Sequence, residues 1–262
     1  MERELIAPLP GPVHEIDLGT HRLTYADLGS GEPVFFMHGG LMDHRSWGNQ
    51  LPLANAFRMI LPDTRGHGRS TGADLPATYA AFADDVVALM DRLDLPRAAV
   101  VGFSDGGCSA LHLALRSPER LTGLVLIGTP HDMASYNSGV VEQMRAMTAE
   151  GLLGAAGPLL KELVARLREH MSDDQWAAYW QRVVKGLWLT EPDLPLSAFA
   201  DLPVPTLILH GENELSVSRR SSEELAATIP DGTLLFVPGA GHAAAQENPA
   251  FVNDAILRFL RR

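Results

Sequence analysis

Hydrophobic and polar positions follow two different rhythms along this chain, and the difference marks out its elements. Near the start, VHEIDL (13–18) and HRLTYADLG (21–29) are short β-like runs joined at Gly19-Thr20, a spacing that predicts an antiparallel hairpin. Beyond it the runs become almost continuously apolar: PVFFMH (33–38), FRMILP (57–62), AAVVGF (98–103), LTGLVLIG (121–128), PTLILHG (205–211) and TLLFVPG (233–239). A strand covered on both faces needs apolar side chains at successive positions, so these runs predict a mostly parallel sheet. Helical periodicity fills the intervals at 80–93, 108–118 and 222–229 and closes the chain at 249–260. Strands alternating with helices predict an α/β sheet flanked by helices on both faces.

One segment breaks the alternation. Residues 131 to about 200 hold no convincing strand and read as helices over VVEQMRAMTAEGLL (140–153), PLLKELVARLREHM (158–171) and DDQWAAYWQRVVKGLWL (173–189), punctuated by GAAGP (154–158) and TEPDLP (190–195). The organisation expected is a core of 1–130 and 200–262 with a helical insertion, 131–199, placed before the penultimate strand. Trp176, Trp180 and Trp188 are spaced by four and eight residues, which puts them on roughly one helical face. That face either packs the insertion onto the core or roofs a pocket.

Charge and composition narrow the field. The formal net charge is −11 and no Lys/Arg cluster stands out, which disfavours nucleic acid and anionic lipid as partners. The single cysteine, Cys108, excludes an intrachain disulfide and any cysteine-based metal site; its place in a predicted helix suits a small buried packing residue. The first residues, MERELIAPLPGPV, carry acidic groups and prolines where a signal peptide needs a basic start and an apolar run, and no stretch is long and apolar enough to span a bilayer. A cytoplasmic protein, monomeric or homodimeric, is expected.

Candidate chemistry begins at VVGFSDGGCS. Gly102-Phe103-Ser104-Asp105-Gly106 fits G-x-S-x-G between a predicted strand and a predicted helix. A turn this sharp strains the serine backbone and requires small residues two positions before and after it, which Gly102 and Gly106 supply. His242, in GAGHAAAQENP after the last strand, is placed on a loop from which an imidazole can reach Ser104 and accept its proton. Orienting that imidazole needs a carboxylate. Glu214 in LILHGENELS is the first candidate, and Asp132 in LIGTPHD is the second. An oxyanion site needs two backbone N–H groups. One is expected from Asp105, at a helix N-terminus, and the other from the His38-Gly39-Gly40-Leu41 loop, with Gly40 ahead of Leu41. The Asp105 side chain either complements the helix dipole or receives a substrate amine.

Taken together, HGG (38–40), DTRGHGRS (63–70), GFSDGG (102–107), LILHGENE (207–214) and GAGH (239–242) resemble the α/β-hydrolase superfamily over nearly the whole chain, most weakly across the insertion. DTRGHGRS is similar to the family's D-x-R-G-x-G-x-S turn, which is chiefly structural there. The resemblance implies an α/β-hydrolase sheet with 131–199 as its cap, Ser104 as nucleophile and His242 as base. Glu214 stands where most such members carry Asp. GFSDGG looks like small esterases, including valacyclovir-hydrolase-like proteins; DTRGHG together with the chain length looks like enol-lactonases. Position 104 is Ser rather than the Asp of dehalogenases and epoxide hydrolases, and HGGLMD lacks the HGxGPG pattern of meta-cleavage C–C hydrolases.

The function this implies is hydrolysis of a small carboxylic ester or lactone through an acyl-enzyme, with no metal or organic cofactor. Leu41, Phe103, Trp176, Trp180 and Trp188 are the pocket candidates. A cofactor-free C–C hydrolase, perhydrolase or oxygenase on the same side chains is one alternative, and a non-catalytic ligand-binding homologue is another.

Overall fold

A computed structural model describes residues 6–262; the first five residues of the MERELIAPLPGPV segment lie outside the described residues. Eight strands form one sheet: β1 (Val13–Asp17), β2 (Arg22–Gly29), β3 (Pro33–Met37), β4 (Arg58–Pro62), β5 (Ala98–Phe103), β6 (Leu121–Ile127), β7 (Thr206–Gly211) and β8 (Gly232–Val237). Their spatial order is β1-β2-β4-β3-β5-β6-β7-β8. β1 and β2 form the antiparallel hairpin, β2 also runs antiparallel to β4, and every pairing from β4 to β8 is parallel. The sheet is the mostly parallel arrangement that the apolar runs predicted.

The lack of alternation in those runs has a direct cause. Val34, Phe36, Ala99, Val101, Phe103, Val125 and Ile127 point into one apolar layer with Trp47, Leu53 and the closing helix. Their neighbours Phe35, Met37, Ala98, Val100, Leu124 and Leu126 point into the opposite layer, packed on helices α1 (Tyr79–Arg92), α2 (Asp105–Arg116) and α7 (Arg219–Thr228). Successive side chains face opposite sides of a strand, so two covered faces demand an unbroken apolar run. β8 departs from this. It is an edge strand, most of it is half-buried, and Leu235 is exposed.

Between β6 and β7 lie α3 (Val140–Ala146), α4 (Ala149–Ala155), α5 (Pro158–Arg168) and α6 (Asp173–Tyr179). The first predicted helix is split because Thr148 caps a new one, its side chain accepting from the Gly151 N–H. The third does not run through to Leu189. A π turn over Trp180–Val184, closed by Lys185 N–H bonding to the Trp180 carbonyl, comes after α6, and a 3₁₀ turn holds Leu187–Leu189. The wider turn rotates the residues beyond it, so the three tryptophans do not share one helical face. After β8 come α8 (Ala244–Glu247) and α9 (Pro249–Leu260). Among the described residues no helix is long and apolar enough to cross a membrane.

The DTRGHGRS turn after β4 is organised by Asp63, which is fully buried. Its Oδ1 accepts from the His44 backbone N–H (2.8 Å) and His44 Nδ1 (2.7 Å), and its Oδ2 accepts from the Arg69 N–H (2.9 Å). Burial alone would raise the carboxyl's pKa, but the His44 bond and charge lead the contacts that hold it below the ordinary range. Removing this acceptor strands buried donors, so Asp63→Ala is expected to cost about 3 kcal/mol, read from the shift in the urea unfolding midpoint.

Candidate active site

Ser104 directly follows the last residue of β5, and α2 begins at the next residue. The serine sits at φ 50°, ψ −115°, a conformation that costs a non-glycine residue about 1–3 kcal/mol. It is held there by its own N–H bonding to the Ile127 carbonyl (2.9 Å) and its carbonyl accepting from Cys108 N–H (2.9 Å). A serine at the start of a helix ordinarily folds its hydroxyl back onto the first-turn N–H groups. Ser104 makes no such cap. Its Oγ lies 3.2 Å from His242 Nε2 instead.

The imidazole continues the chain of bonds. His242 Nδ1 is 2.6 Å from Glu214 Oε2. The Glu214 carboxylate has no exposed side-chain surface, and its other oxygen accepts from the N–H groups of Ser216 (2.6 Å) and Val217 (3.3 Å). Burial opposes its charge, but the bond to His242 and these two N–H groups outweigh it, and its pKa lies below the usual carboxylate value. Burial likewise disfavours the imidazolium. Glu214, then Asp105 and Glu247, favour it more, and His242 is raised above its ordinary 6.5. Glu214 rather than Asp132 meets the histidine. Asp132 caps a turn, accepting at Oδ1 from the Ser135 N–H and hydroxyl, both at 2.8 Å.

Gly40 and Asp105 are the backbone donors expected for an oxyanion. Neither the Gly40 nor the Asp105 N–H has a backbone acceptor among the described residues. Leu41 N–H, the alternative to Gly40, donates to the Tyr179 hydroxyl at 3.0 Å. The Asp105 carboxylate is occupied on both oxygens, by Tyr79 OH at 3.0 Å and Trp188 Nε1–H at 2.7 Å. Burial pushes its pKa up to about 6 even against these two donors and the His242 charge.

The pocket candidates separate. Trp188 reaches the site, and its indole lies so close over Gly40 that a Cβ there would collide with the ring. Phe103 is buried under Gly39 with its ring centroid 5.2 Å from that of His242, so it supports the imidazole from beneath. Trp176 and Trp180 take part in the packing of the insertion. Both are buried in one cluster with Leu41, Tyr79 and Tyr179, and Trp176 stacks on Tyr179 at 5.6 Å.

Three contributors were not singled out by sequence pattern. Gly128 closes β6 at φ 53°, and a Cβ there would press on both His242 Nδ1 (3.2 Å) and Glu214 Oε2 (3.3 Å). Its signal was available as the glycine ending LTGLVLIG. Tyr79 and Tyr179 had none, because an aromatic at a helical core position looks alike with or without a partner for its hydroxyl.

Comparison with known proteins places these features in company. The family profile described as alpha/beta hydrolase fold matches residues 32–249. A Synechocystis protein named as a candidate non-heme chloroperoxidase is 30% identical over 264 residues, covering 90% of this chain and 94% of its own. The 2-hydroxy-6-oxo-6-phenylhexa-2,4-dienoate hydrolase of Burkholderia cepacia is 28% identical over 269 residues, covering 95% and 94%. A thermophilic esterase from Thermogutta terrifontis superposes with a TM-score of 0.74 at 27% identity, covering 96% of this chain and 98% of that one.

Ionised Asp105 favours the His242 imidazolium, so Asp105→Asn is expected to lower the histidine's pKa. The imidazole resonances followed by NMR against pH would show it titrating at lower pH than in the parent. An unchanged midpoint would show that the two groups do not interact.

Proposed function

The chain belongs to the α/β-hydrolase family, and from that premise we propose that it hydrolyses a small carboxylic ester or lactone through an acyl-enzyme on Ser104. The observation that carries this reading is the unbroken sequence of bonds from Ser104 Oγ through His242 to a buried, ionised Glu214.

In this reading His242 Nε2 takes the hydroxyl proton as Ser104 Oγ attacks the carbonyl carbon. Glu214, already bonded to Nδ1, fixes the tautomer that leaves Nε2 basic and stabilises the imidazolium as it forms. The tetrahedral oxyanion is received by the N–H groups of Gly40 and Asp105, with the dipole of α2 adding to the second. His242 then protonates the leaving alcohol, and water activated by the same nitrogen releases the acid. The inserted helices act as a cap, and Trp188, pinned by Asp105, forms the wall nearest the oxyanion. The family resemblance to small esterases and the similarity to the Thermogutta esterase support the ester class. The Burkholderia relative is named as a 2-hydroxy-6-oxo-6-phenylhexa-2,4-dienoate hydrolase, and product analysis separates C–C cleavage from ester cleavage on the same side chains.

The test is hydrolysis of short-chain p-nitrophenyl esters and simple lactones. Ser104→Ala should abolish turnover. Glu214→Gln should lower kcat by about 10³–10⁴-fold, as loss of an orienting carboxylate does, while Asp132→Asn should leave it within about twofold. Turnover surviving in Ser104→Ala would remove the acyl-enzyme. With His242 raised above 6.5 and required neutral, kcat/KM should climb with pH through an acid limb centred above that value. A limb well below 6.5 would separate the rate from His242.

A further inference from the structure

The Gly40 N–H is useful only if it is held toward the developing charge, and a glycine backbone has little stiffness of its own. The peptides on either side of Gly40 are each fixed by a side chain. His38 Nδ1 donates to the Gly39 carbonyl (2.8 Å), which sets the plane of the 39–40 peptide. Carbonyl and N–H point in opposite directions across a trans peptide, so this bond turns the Gly40 N–H away from His38. The 40–41 peptide is fixed from the insertion, where the Tyr179 hydroxyl accepts the Leu41 N–H. Leu41 itself stands at φ 61°, a left-handed conformation unusual for a bulky residue, with its side chain buried beside Tyr179.

The direction of the Tyr179 proton is set by the next partner. His67, in the DTRGHGRS turn, has Nδ1 3.2 Å from the Arg65 carbonyl and Nε2 3.1 Å from the Tyr179 oxygen. A carbonyl only accepts, so Nδ1 carries the proton and Nε2 accepts from Tyr179 OH. That leaves the phenol oxygen's lone pairs for Leu41. Burial, with the charge of nearby His38, lowers the His67 pKa to about 3, so the ring stays neutral across the working range.

We propose that Tyr179, oriented by His67, is a positioning residue for the oxyanion site: the insertion holds the loop that aims the Gly40 N–H. This rests on the proposed serine chemistry and adds to it a role for a residue whose hydroxyl bonds to Leu41 and His67 rather than to the nucleophile.

Tyr179→Phe tests it with nearly the same volume. Two readouts are used, kcat and KM for a p-nitrophenyl ester and the second-order rate of Ser104 labelling by a fluorophosphonate, whose P–O group occupies the same oxyanion site without requiring ester turnover. The expected result is a fall of about tenfold in both kcat and labelling rate, with KM changed less than about twofold. The loss should be constant between about pH 6 and 9, because neutral His67 does not titrate there. His67→Gln, whose amide oxygen can still accept from Tyr179, should retain most of the rate, and His67→Leu should resemble Tyr179→Phe. Unchanged kcat and labelling in Tyr179→Phe, or a loss confined to KM, would overturn the proposal. So would equal losses in His67→Gln and His67→Leu. A parent protein that labels at Ser104 but cleaves no ester would overturn the substrate class alone and leave the labelling comparison to decide the positioning role. A parent that does not label would overturn the nucleophile and this proposal together.

Discussion

Everything at this site depends on the change of direction at Ser104. A strand at the middle of the sheet ends and a helix starts with only Ser104 between them, so the serine must take up a backbone conformation that L-residues avoid. The cost is met by bonds that the fold makes anyway, one to the neighbouring strand and one to the first turn of α2. In that conformation the hydroxyl does not fold back as a cap, and it is left directed at an imidazole. The parallel order of the sheet does the rest. Loops leaving β3, β6, β7 and β8 all emerge at the same edge, which is why residues separated by more than a hundred positions meet within hydrogen-bond distance.

Charge around the imidazole is arranged with similar economy. Glu214 sits behind it and Asp105 beside it, and both favour its protonated form. They differ in how their own charge is maintained. Glu214 accepts two backbone N–H bonds besides His242 and stays ionised, whereas Asp105 has two side-chain donors that do not fully offset burial. One carboxylate is therefore held ionised, whereas burial pushes the other's pKa up to about 6.

The sheet was legible because two-sided burial imposes a pattern that few other structures need, and β3 to β7 fell within a residue or two of their apolar runs. β8 carried the same pattern yet is half open, since an apolar run does not say whether a further strand lies beyond it. Ser104, His242 and Glu214 could be singled out because a nucleophile at a strained turn demands glycines around it and fixes where its partners must lie along the chain. The insertion resisted reading for the opposite reason. Its helices are short, their ends are set by single caps such as Thr148, and Trp188 lies beyond the π turn on a separate 3₁₀ turn, where it contacts Asp105. Hydroxyl partners of Tyr79 and Tyr179 depend on distances between elements far apart in sequence, and no local pattern records them.

The bond between Leu41 and Tyr179 has a practical consequence for anyone reshaping this protein. Insertions of this kind invite exchange between homologues, since they sit between two strands and can be cut out cleanly. Here the excised piece would take with it the only side-chain acceptor of the Leu41 N–H among the described residues, together with much of the apolar surroundings of Leu41. A chimera would need a hydroxyl delivered to the same point, or a glycine at position 41 to relieve the backbone, before its new walls could be judged on their own merits.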